Sequence, residues 1–406
     1  MPLDAKIEGL RLPRGWSTRR LSDVCEIEKC TGAHQGLPYV GLEEIESGTA
    51  RFLGSFDPRR VQSFTFRFTH EHVLYGRLRP YLNKALAPDF EGHCSTEIFP
   101  LRPGPGLLRH FLLYWLLFSR TVAQINSTCT GARMPRANMH AVMDFPFILP
   151  PLAEQKRIVA ILDEAFTGID ATVANAEKNL ANARELFESD REAILFHTDK
   201  EWAVRRVRDL GRVQTGTTPK TSESENYGGS IPFIKPGDFL RDGSLNYTNA
   251  CLSALGASRG RLISSGSVLM VCIGATIGKT GVAERQVSAN QQINVLTPER
   301  GVSSRFVYHQ MTTRFFQLAV RAAAGQATLP IINKSKWSNL RLRIPPEPEQ
   351  VAIASRLDSL WNAVNAIEVN LQRKLDALAE LKQSILQKAF AGELTAKEAE
   401  REMAAA

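Results

Sequence analysis

The sequence lacks the features of secreted, membrane-spanning and metal-binding proteins. Its six cysteines are scattered, without the spacing of a zinc site or a disulfide framework. The longest apolar run, residues 111–118, is too short to cross a bilayer. No basic-then-apolar signal segment opens the chain. We therefore expect a soluble cytoplasmic protein with reduced thiols.

Catalytic motifs are also scarce, because no Gly-x-Ser-x-Gly elbow, glycine-rich cofactor loop or metal-spaced histidine pair is present. One segment, 274–280 (Gly-Ala-Thr-Ile-Gly-Lys-Thr), resembles a phosphate-binding P-loop. A P-loop needs four residues between its glycines, and this segment has three. We expect a tight turn here, with Lys279 and its counterpart Lys84 as equivalent surface cations. An NTP-binding enzyme remains an alternative, but the sequence favours a recognition protein.

What the sequence does contain is an internal repeat. The segment 150–155, Pro-Pro-Leu-Ala-Glu-Gln, returns 195 residues later as 345–350, Pro-Pro-Glu-Pro-Glu-Gln. The opening segments 16–24 and 202–210 correspond at an offset of 186. The second copy has therefore gained residues, which we place in the stretch 215–230 and predict as a loop. A duplicated domain-plus-helix unit implies an internal pseudo-two-fold repeat.

Each copy combines short strands with helices, which predicts an α+β fold. The runs 267–273 and 292–296 are β-rich, and helical stretches are predicted at 107–119 and 305–320. Each Pro-Pro pair marks a helix start.

Apolar residues at spacings of three and four then predict two long helices, the first over Leu152–Phe196. Such a helix is about 67 Å long, roughly twice one turn of DNA. We expect the two to pack as a coiled coil, since neither can bury its apolar stripe alone. The alternative is that each packs on its own domain.

Charge alternates in step with the repeat. Residues 1–150 carry 18 Lys and Arg against 14 Asp and Glu, and residues 200–343 carry 20 against 8. Segments 151–199 and 344–406 together carry 12 against 20. This pattern indicates globular parts that meet a polyanion and helices that meet protein, although solubility alone is the simpler explanation.

Candidate nucleic-acid contacts are polar and cationic side chains, many at repeat-equivalent positions. Amides can pair with adenine edges, and Arg or Lys can pair with guanine. The candidates are Arg77, Arg79, Tyr81, Lys84, Arg133, Arg136 and Asn138 in the first copy, and Thr217, Lys220, Lys235, Lys279, Asn290, Gln291, Gln292, Asn333 and Lys334 in the second. For any one of them a solvated surface role stays open. Copies that share a scaffold but differ at these positions would read two different sequences.

On these residues the chain resembles the specificity subunit of type I restriction-modification systems. The marks are the segment 150–158, the second Pro-Pro segment with Glu349 and Gln350, and the closing segment 381–394, which are specific in combination. The turn at Gly278 and the opening at Trp202 are similar as well. The first helix departs from the pattern at 193–197, so we expect the two helix ends to dock differently.

The resemblance implies two target-recognition domains, 1–150 and 200–343, separated by a central long helix, 151–199, and a C-terminal long helix, 344–406. Each domain would read one half of a bipartite, asymmetric site in double-stranded DNA, and the helices would set the gap.

The resemblance also implies partners. Methyltransferase subunits, of which we expect two, would dock on the helices. The docking positions that we expect on the helices are Leu162, Ile169, Leu180, Leu357, Val364 and Leu375. A motor-nuclease restriction subunit would join them. S-adenosylmethionine, ATP and Mg²⁺ would bind those subunits and not this chain, which would have no catalytic residues, metal or membrane of its own. A protein scaffold that reads no DNA is the remaining alternative.

Overall fold

The computed structural model describes residues 12–34, 36–131, 133–196, 201–325 and 329–395. The chain forms two compact units, Met1–Asn175 with Arg373–Ala406, and Ala176–Gln372. The unit boundary falls inside the two long helices, so each unit contains a segment of both. Residues 1–11, 197–199 and 396–406, which the sequence assigns to the first domain and to the ends of the two helices, lie outside the described residues.

Strands of the first unit form two four-stranded sheets and one two-stranded sheet. In chain order they are β1 Ser17–Arg20, β2 Cys25–Ile27, β3 Cys30–Gly32, β4 Tyr39–Val40, β5 Thr65–Phe68, β6 Val73–Gly76, β7 Ala85–Leu86, β8 Gly92–Ser95, β9 Ile98–Pro103 and β10 Pro146–Leu149. The sheet orders are β2-β9-β6-β7, β3-β5-β8-β4 and β1-β10. All pairs are antiparallel except β4 with β8.

Helices of the first unit cover the sheets and continue into the first long helix. They are α1 Leu21–Val24, α2 Arg109–Leu117, α3 Ser119–Ser127, α4 Met139–Met143 and α5 Leu152–Phe196. The buried face of α2 lies in a core that also contains β6, β9 and the start of α5.

The second unit repeats this architecture with one sheet changed at its edges, because among the described residues the counterpart of β4 gains an extra neighbouring strand and the counterpart of β5 has none. Its strands are β11 Ala203–Arg206, β12 Gly211–Thr215, β13 Tyr227–Ile234, β14 Cys251–Leu252, β15 Leu262–Ile263, β16 Val268–Val271, β17 Thr280–Val282, β18 Val287–Ala289, β19 Ile293–Pro298 and β20 Arg341–Ile344. They form the sheets β12-β19-β16-β17, β14-β13-β18-β15 and β11-β20. Its helices are α6 Ala254–Arg259, α7 Ser304–Thr312, α8 Arg314–Ala324, α9 Lys334–Ser338 and α10 Glu347–Ala391.

Backbone hydrogen bonds recur at the offset found in the sequence. The amide of Arg79 donates to Pro135 O at 2.8 Å, and 195 residues later Gly274 donates to Pro330 O at 3.0 Å. The extra residues of the second copy fall between β12 and the end of β13. The stretch 215–230 is not wholly the predicted loop, because it includes a 3-10 helix, Ser224–Asn226, and the start of β13.

The two predicted helical stretches after the sheets are each broken at one residue. The backbone is extended at Phe118, between α2 and α3, and at Thr313, between α7 and α8. The Thr313 hydroxyl accepts from the amide of Phe316 and so caps α8. Phe118 has no such oxygen, and the amide of Ser119 instead donates to Gln383 of α10 at 2.7 Å.

Gln155 and Gln350 join the start of each long helix to its own unit. Gln155 Oε1 accepts from the amide of Leu108 at 2.8 Å, and its Nε2 donates to Gly106 O at 2.9 Å and Pro150 O at 2.8 Å. Gln350 makes the same three bonds one repeat later, to residues 303, 301 and 345. Both side chains are buried. The Pro-Pro-x-x-Glu-Gln motif is therefore a joint between helix and domain.

The long helices begin directly after the proline pairs, as predicted, and α5 has the predicted bounds. Within the first unit the ammonium of Lys382 on α10 pairs with Asp170 on α5. Within the second unit the rings of Phe187 on α5 and Trp361 on α10 lie 5.2 Å apart. The two helices thus pack together inside each unit.

Four of the six side chains proposed for partner docking are buried in this chain. Leu162, Ile169, Leu357 and Val364 are less than a tenth exposed, and Leu162 and Leu357 belong to the domain cores. This corrects the prediction, because a buried side chain cannot meet a partner directly. The remaining two, Leu180 and Leu375, are half-buried.

The C-terminal halves of the two helices dock differently, as expected. In the first unit Phe390 packs beside Phe111 and Phe118, at centroid distances of 5.3 and 5.5 Å. In the second unit a buried arginine of α5, Arg191, donates to the carbonyl of Thr312 at 3.0 Å. At the equivalent positions stand the buried leucines Leu195 and Leu386, so the two ends differ at both places. Of the departing segment 193–197, residue 197 lies outside the described residues.

Candidate nucleic-acid interface

The segment 274–280 connects two antiparallel strands, β16 and β17. Gly274 and Gly278 have φ values of 97° and 92°, the left-handed region that favours glycine. The chain continues as a strand, whereas a P-loop leads into a helix whose N-terminal amides hold the phosphate. The predicted tight turn is confirmed, and the nucleotide-binding alternative loses its structural basis.

Lys84 and Lys279 follow equivalent turns but have different surroundings. Lys84 is half-buried, and its Nζ donates to Leu42 O at 2.5 Å and Ile45 O at 2.9 Å. Lys279 is exposed. The prediction of an equivalent surface cation is right for Lys279 and wrong for Lys84, whose ammonium holds the neighbouring 42–45 turn.

A cleft in the first unit brings together several of the predicted side chains. Its lining combines cations, an aromatic ring and small polar groups: Lys29, Arg77, Phe99, Thr130, Arg136, Ala137, Asn138, Met139 and His140. Arg77, Arg136 and Asn138 are among the sequence candidates. The cleft lies where the turn after β6 meets the loop before α4, through an isolated bridge between Leu78 and Arg136.

Glu97 fixes both arginines of this cleft. Its carboxylate accepts from Arg77 Nε at 3.0 Å and from Arg136 Nε at 3.0 Å. The Arg77 guanidinium lies 5.2 Å from the centroid of the Phe99 ring, and the Lys29 ammonium lies 4.1 Å from it. Three cations therefore share one carboxylate and one aromatic face, which leaves the cleft positive and suited to a polyanion.

Sequence reasoning missed Lys29, Glu97 and Phe99. One signal could have found Glu97, because it stands 195 residues before Gln292, which was a candidate. The other two emerge only from the sheet, which places neighbouring strands side by side.

The equivalent positions of the second unit hold neutral side chains. The residues one repeat after Arg77, Glu97 and Phe99 are Cys272, Gln292 and Asn294. Asn294 Nδ2 contacts the Cys272 sulfur at 3.1 Å, and its Oδ1 accepts from the Thr215 hydroxyl at 2.7 Å. An amide, thiol and hydroxyl cluster thus replaces the charged one.

The loop after β12 lies against the amide run 290–292, so the structure joins two predicted groups. The amide of Thr217 donates to the carbonyl of residue 289 at 2.8 Å, and the Thr218 hydroxyl donates to Gln291 Oε1. Asn290 Nδ2 donates to Gln292 Oε1 at 3.0 Å. These bonds order the amide run, and Gln291 is exposed.

Asn138 and Asn333 are helix N-caps at equivalent positions. Their side-chain oxygens accept from the amides of Ala141 at 3.3 Å and Lys336 at 2.8 Å. This local bond satisfies one amide of α4 and of α9. Both asparagines are exposed, so their Nδ2 groups remain accessible.

The remaining candidates lie on the surface apart from these clusters. Lys220 pairs with Glu223 at 3.5 Å, and Lys235 Nζ lies 5.7 Å from the ring of Phe233. The exposed members of the set are Arg79, Tyr81, Arg133, Lys220, Lys235 and Lys334. Exposed cations of this kind suit phosphate contacts, which need no fixed orientation.

The described residues offer neither a metal site nor a membrane-spanning helix. Across the described ranges, no three or more His, Cys, Asp or Glu side chains group in a way that could hold a metal ion. No helix there combines the length and apolarity needed to cross a membrane. The six cysteines are free thiols.

Comparison with known proteins agrees with this architecture. The family model described as type I restriction modification DNA specificity domain matches residues 80–180 and 199–377. The MjaIX specificity subunit of Methanocaldococcus jannaschii is 28% identical over 174 residues, 41% of this chain and 39% of that protein. The StySPI specificity subunit of Salmonella potsdam is 22% identical over 432 residues, covering 95% and 90%. The match spans 54% of the HindI specificity subunit of Haemophilus influenzae, so the first relatives are covered only in part.

Two solved structures share the fold. One chain comes from a study of complex assembly and conformational transition of the type I R-M system, with a TM-score of 0.78, 22% identity and coverage of 95% of this chain and 100% of that one. The other is the HsdS subunit of Thermoanaerobacter tengcongensis, with a TM-score of 0.55, 21% identity and coverage of 95% and 99%. With the family model matching more than half of its length, this chain belongs to the type I restriction-modification DNA specificity domain family.

Proposed function

We propose that this chain is the DNA-reading, non-catalytic specificity subunit of a type I restriction-modification complex in the cytoplasm. Each unit reads one half of a bipartite, asymmetric site in double-stranded DNA. The observation that carries the proposal is the contrast between the two units. The two units share a backbone framework. Glu97 in the first unit lies in a charged cluster, whereas its counterpart Gln292 in the second unit lies among neutral side chains. Different side chains on one framework would read different bases.

The two long helices are proposed to dock the methyltransferase subunits, two in number, and to set the gap between half-sites. The segments 151–199 and 344–406 are net acidic, and most of the surface of α5 and α10 between the buried stripes is exposed. S-adenosylmethionine would bind the methyltransferase subunits, and ATP and Mg²⁺ the restriction subunit.

A base-resolution methylome of cells with and without this gene tests the reading role. Loss of one bipartite methylated motif on deletion of the gene is the expected result, and it identifies the target sequence directly. If a purified methyltransferase complex methylates DNA identically without this chain, the proposal fails. A gel shift with the assembled complex then decides whether the chain is a scaffold that binds no DNA.

Shortening the helices tests the proposed gap setting. Removal of seven residues from α5, together with the equivalent seven from α10, keeps the apolar stripes in register. It shortens each helix by about 10 Å, or about three base pairs. We expect the gap to shrink by that amount with both half-sites intact. An unchanged gap in a folded, active complex would contradict the role.

A further inference from the structure

Arg77 occupies an unusual position among the cations of the first unit. We propose, resting on the function proposed above, that Arg77 reads a guanine in the half-site of the first unit, with Glu97 as its positioning residue. The guanidinium nitrogens of Arg77 differ, because one is bound inside the protein and two are left for a ligand.

Only the inner nitrogen of Arg77 is bound. Its Nε donates to Glu97 Oε2 at 3.0 Å, and its plane lies near the Phe99 ring, at 5.2 Å. Within the described residues neither Nη has a hydrogen-bond partner. Two parallel N–H groups therefore remain in a side chain that is 33% exposed and held at its base. That pair of donors matches O6 and N7 of guanine in the major groove.

Arg136 is engaged differently. Its Nε and Nη2 both lie 3.0 Å from Glu97 Oε1, and its Nη1 donates to Met134 O at 3.4 Å. All three nitrogens are used, so Arg136 anchors the carboxylate that orients Arg77. The cluster is therefore a reading arginine, a carboxylate and a second arginine that holds the carboxylate.

A base contact explains the arrangement better than a phosphate contact. Phosphates can be met by free surface cations, which the chain supplies at Arg79, Arg133 and Lys279. Holding a guanidinium in one plane reduces the entropy lost on forming two parallel bonds, which base discrimination needs and charge neutralisation alone does not. The second unit has the buried thiol of Cys272 at this position, so its half-site is not read in this way.

The test uses the complete complex expressed from its own operon, with the methylome as the measurement. Arg77→Gln and Arg77→Lys both remove the fork, and the second retains the charge. Arg67→Gln is the matched control, because Arg67 forms an exposed ion pair with Glu91 at 3.1 Å on β5 and does not line the cleft.

We expect the wild-type motif to contain a G·C pair in one half-site. Both Arg77 variants should accept other base pairs at that position. Discrimination there should fall about ten- to a hundredfold, with the other half-site and the gap unchanged. Arg67→Gln should leave the motif intact. Glu97→Ala should relax the same pair, and Glu97→Gln, which keeps one acceptor oxygen, should relax it less. A merely structural role of Glu97 would lower the melting temperature without changing that base preference.

Two results would overturn the inference. One is a wild-type motif without a G·C pair in the affected half-site. The other is a uniform loss of methylation in the Arg77 variants with base preferences intact, as expected for a phosphate contact. If circular dichroism shows that the Arg77→Gln variant does not fold, the Arg77→Lys variant alone tests the inference. The absence of any bipartite motif dependent on this chain would instead refute the proposed function itself.

Discussion

The two units hold their long helices by one shared joint and one that differs. Gln155 and Gln350 make the same three bonds to backbone groups. Two turns further along each helix the carboxylates of Asp163 and Asp358 also correspond, but their partners do not. Asp163 accepts from a tyrosine hydroxyl, whereas Asp358 accepts from a histidine and an arginine. A bond to the backbone is independent of the partner's side chain, so it persists in both copies, while bonds between side chains have diverged.

The shared joint predicts the largest and most symmetric effect. Gln155→Leu and Gln350→Leu each leave one amide and two carbonyls without the glutamine as partner, and the bonds lost at the Pro150 and Pro345 carbonyls are buried. We expect each to lower the free energy of unfolding of its own unit by about 2–5 kcal/mol. Hydrogen exchange resolved by unit measures this, with exposed Gln387→Leu on α10 as the control. Unequal losses would show that the two joints are not equivalent.

The divergent joint predicts an asymmetric effect. Asp358→Asn removes the anion that Arg305 and His309 contact at 3.1 and 2.7 Å, and it should destabilise the second unit by about 2–3 kcal/mol. Asp163→Asn keeps an acceptor for the neutral Tyr114 hydroxyl, so a loss of about 1 kcal/mol is expected in the first unit. Denaturant unfolding of the two variants compares them directly. Equal losses would contradict a role for the extra charges.

Lys84 and Lys279 should differ in what they contribute, the first to stability and the second to DNA binding. Lys84→Ala should destabilise the first unit by about 1–3 kcal/mol, because two carbonyls lose a charged donor. Lys279→Ala should leave stability unchanged, but weaken DNA binding with a salt slope lower by about one. Binding by the assembled complex across a salt series gives that slope. An unaltered slope would place Lys279 away from the phosphates.

Acid should destabilise both units, but through different side chains. Burial lowers the pKa of His309, and although burial opposes it, hydrogen bonds from His309 and Arg305 lower the pKa of Asp358 to about 2. Both folded pKa values lie below the unfolded ones, so the second unit loses stability as pH falls, first below about 6.5 and then between about 4 and 2. The first unit has Tyr114 at the position of His309, but burial lowers the pKa of His93 and His110 in that unit, so it also loses stability as pH falls below about 6.5.

The measurement for this prediction is unit-resolved hydrogen exchange at pH 7 and pH 5, corrected for intrinsic exchange rates. Both units should lose protection as pH falls. His309→Gln should reduce the loss in the second unit and leave the loss in the first unit unchanged. A loss in the second unit that survives this substitution would assign it to other groups.

The sequence predicts the long helices well, because a proline pair and a regular apolar stripe report the helix start and its buried face. The bounds of α5 are as predicted. It also predicts that the two helices pack on each other, as they do, but it leaves open whether the domains cover part of each stripe. Leu162 and Leu357 were expected to serve a partner, and they lie in the cores of this chain. Periodicity identifies which side chains are buried but not the surface that buries them.

The candidate interface was predicted less completely. Arg77, Arg136 and Asn138 share a cleft, but Lys84 points its ammonium into backbone carbonyls. Residue type alone does not distinguish a cation that lines a cleft from one that is bound to the backbone. The sequence does not show which groups surround an arginine or a lysine. The break at Thr313 was missed because apolar residues continue across it, although a threonine three residues before Phe316 is a typical cap.

The helices that cross both units also constrain the order of synthesis. The second unit, Ala176–Gln372, is continuous in the chain, whereas the first needs Arg373–Ala406 for completion. Phe390, which packs beside Phe111 and Phe118, therefore leaves the ribosome only after the whole second unit has been translated. The unit that begins first is completed last, so its core waits, lacking this aromatic side chain, until translation of α10 ends.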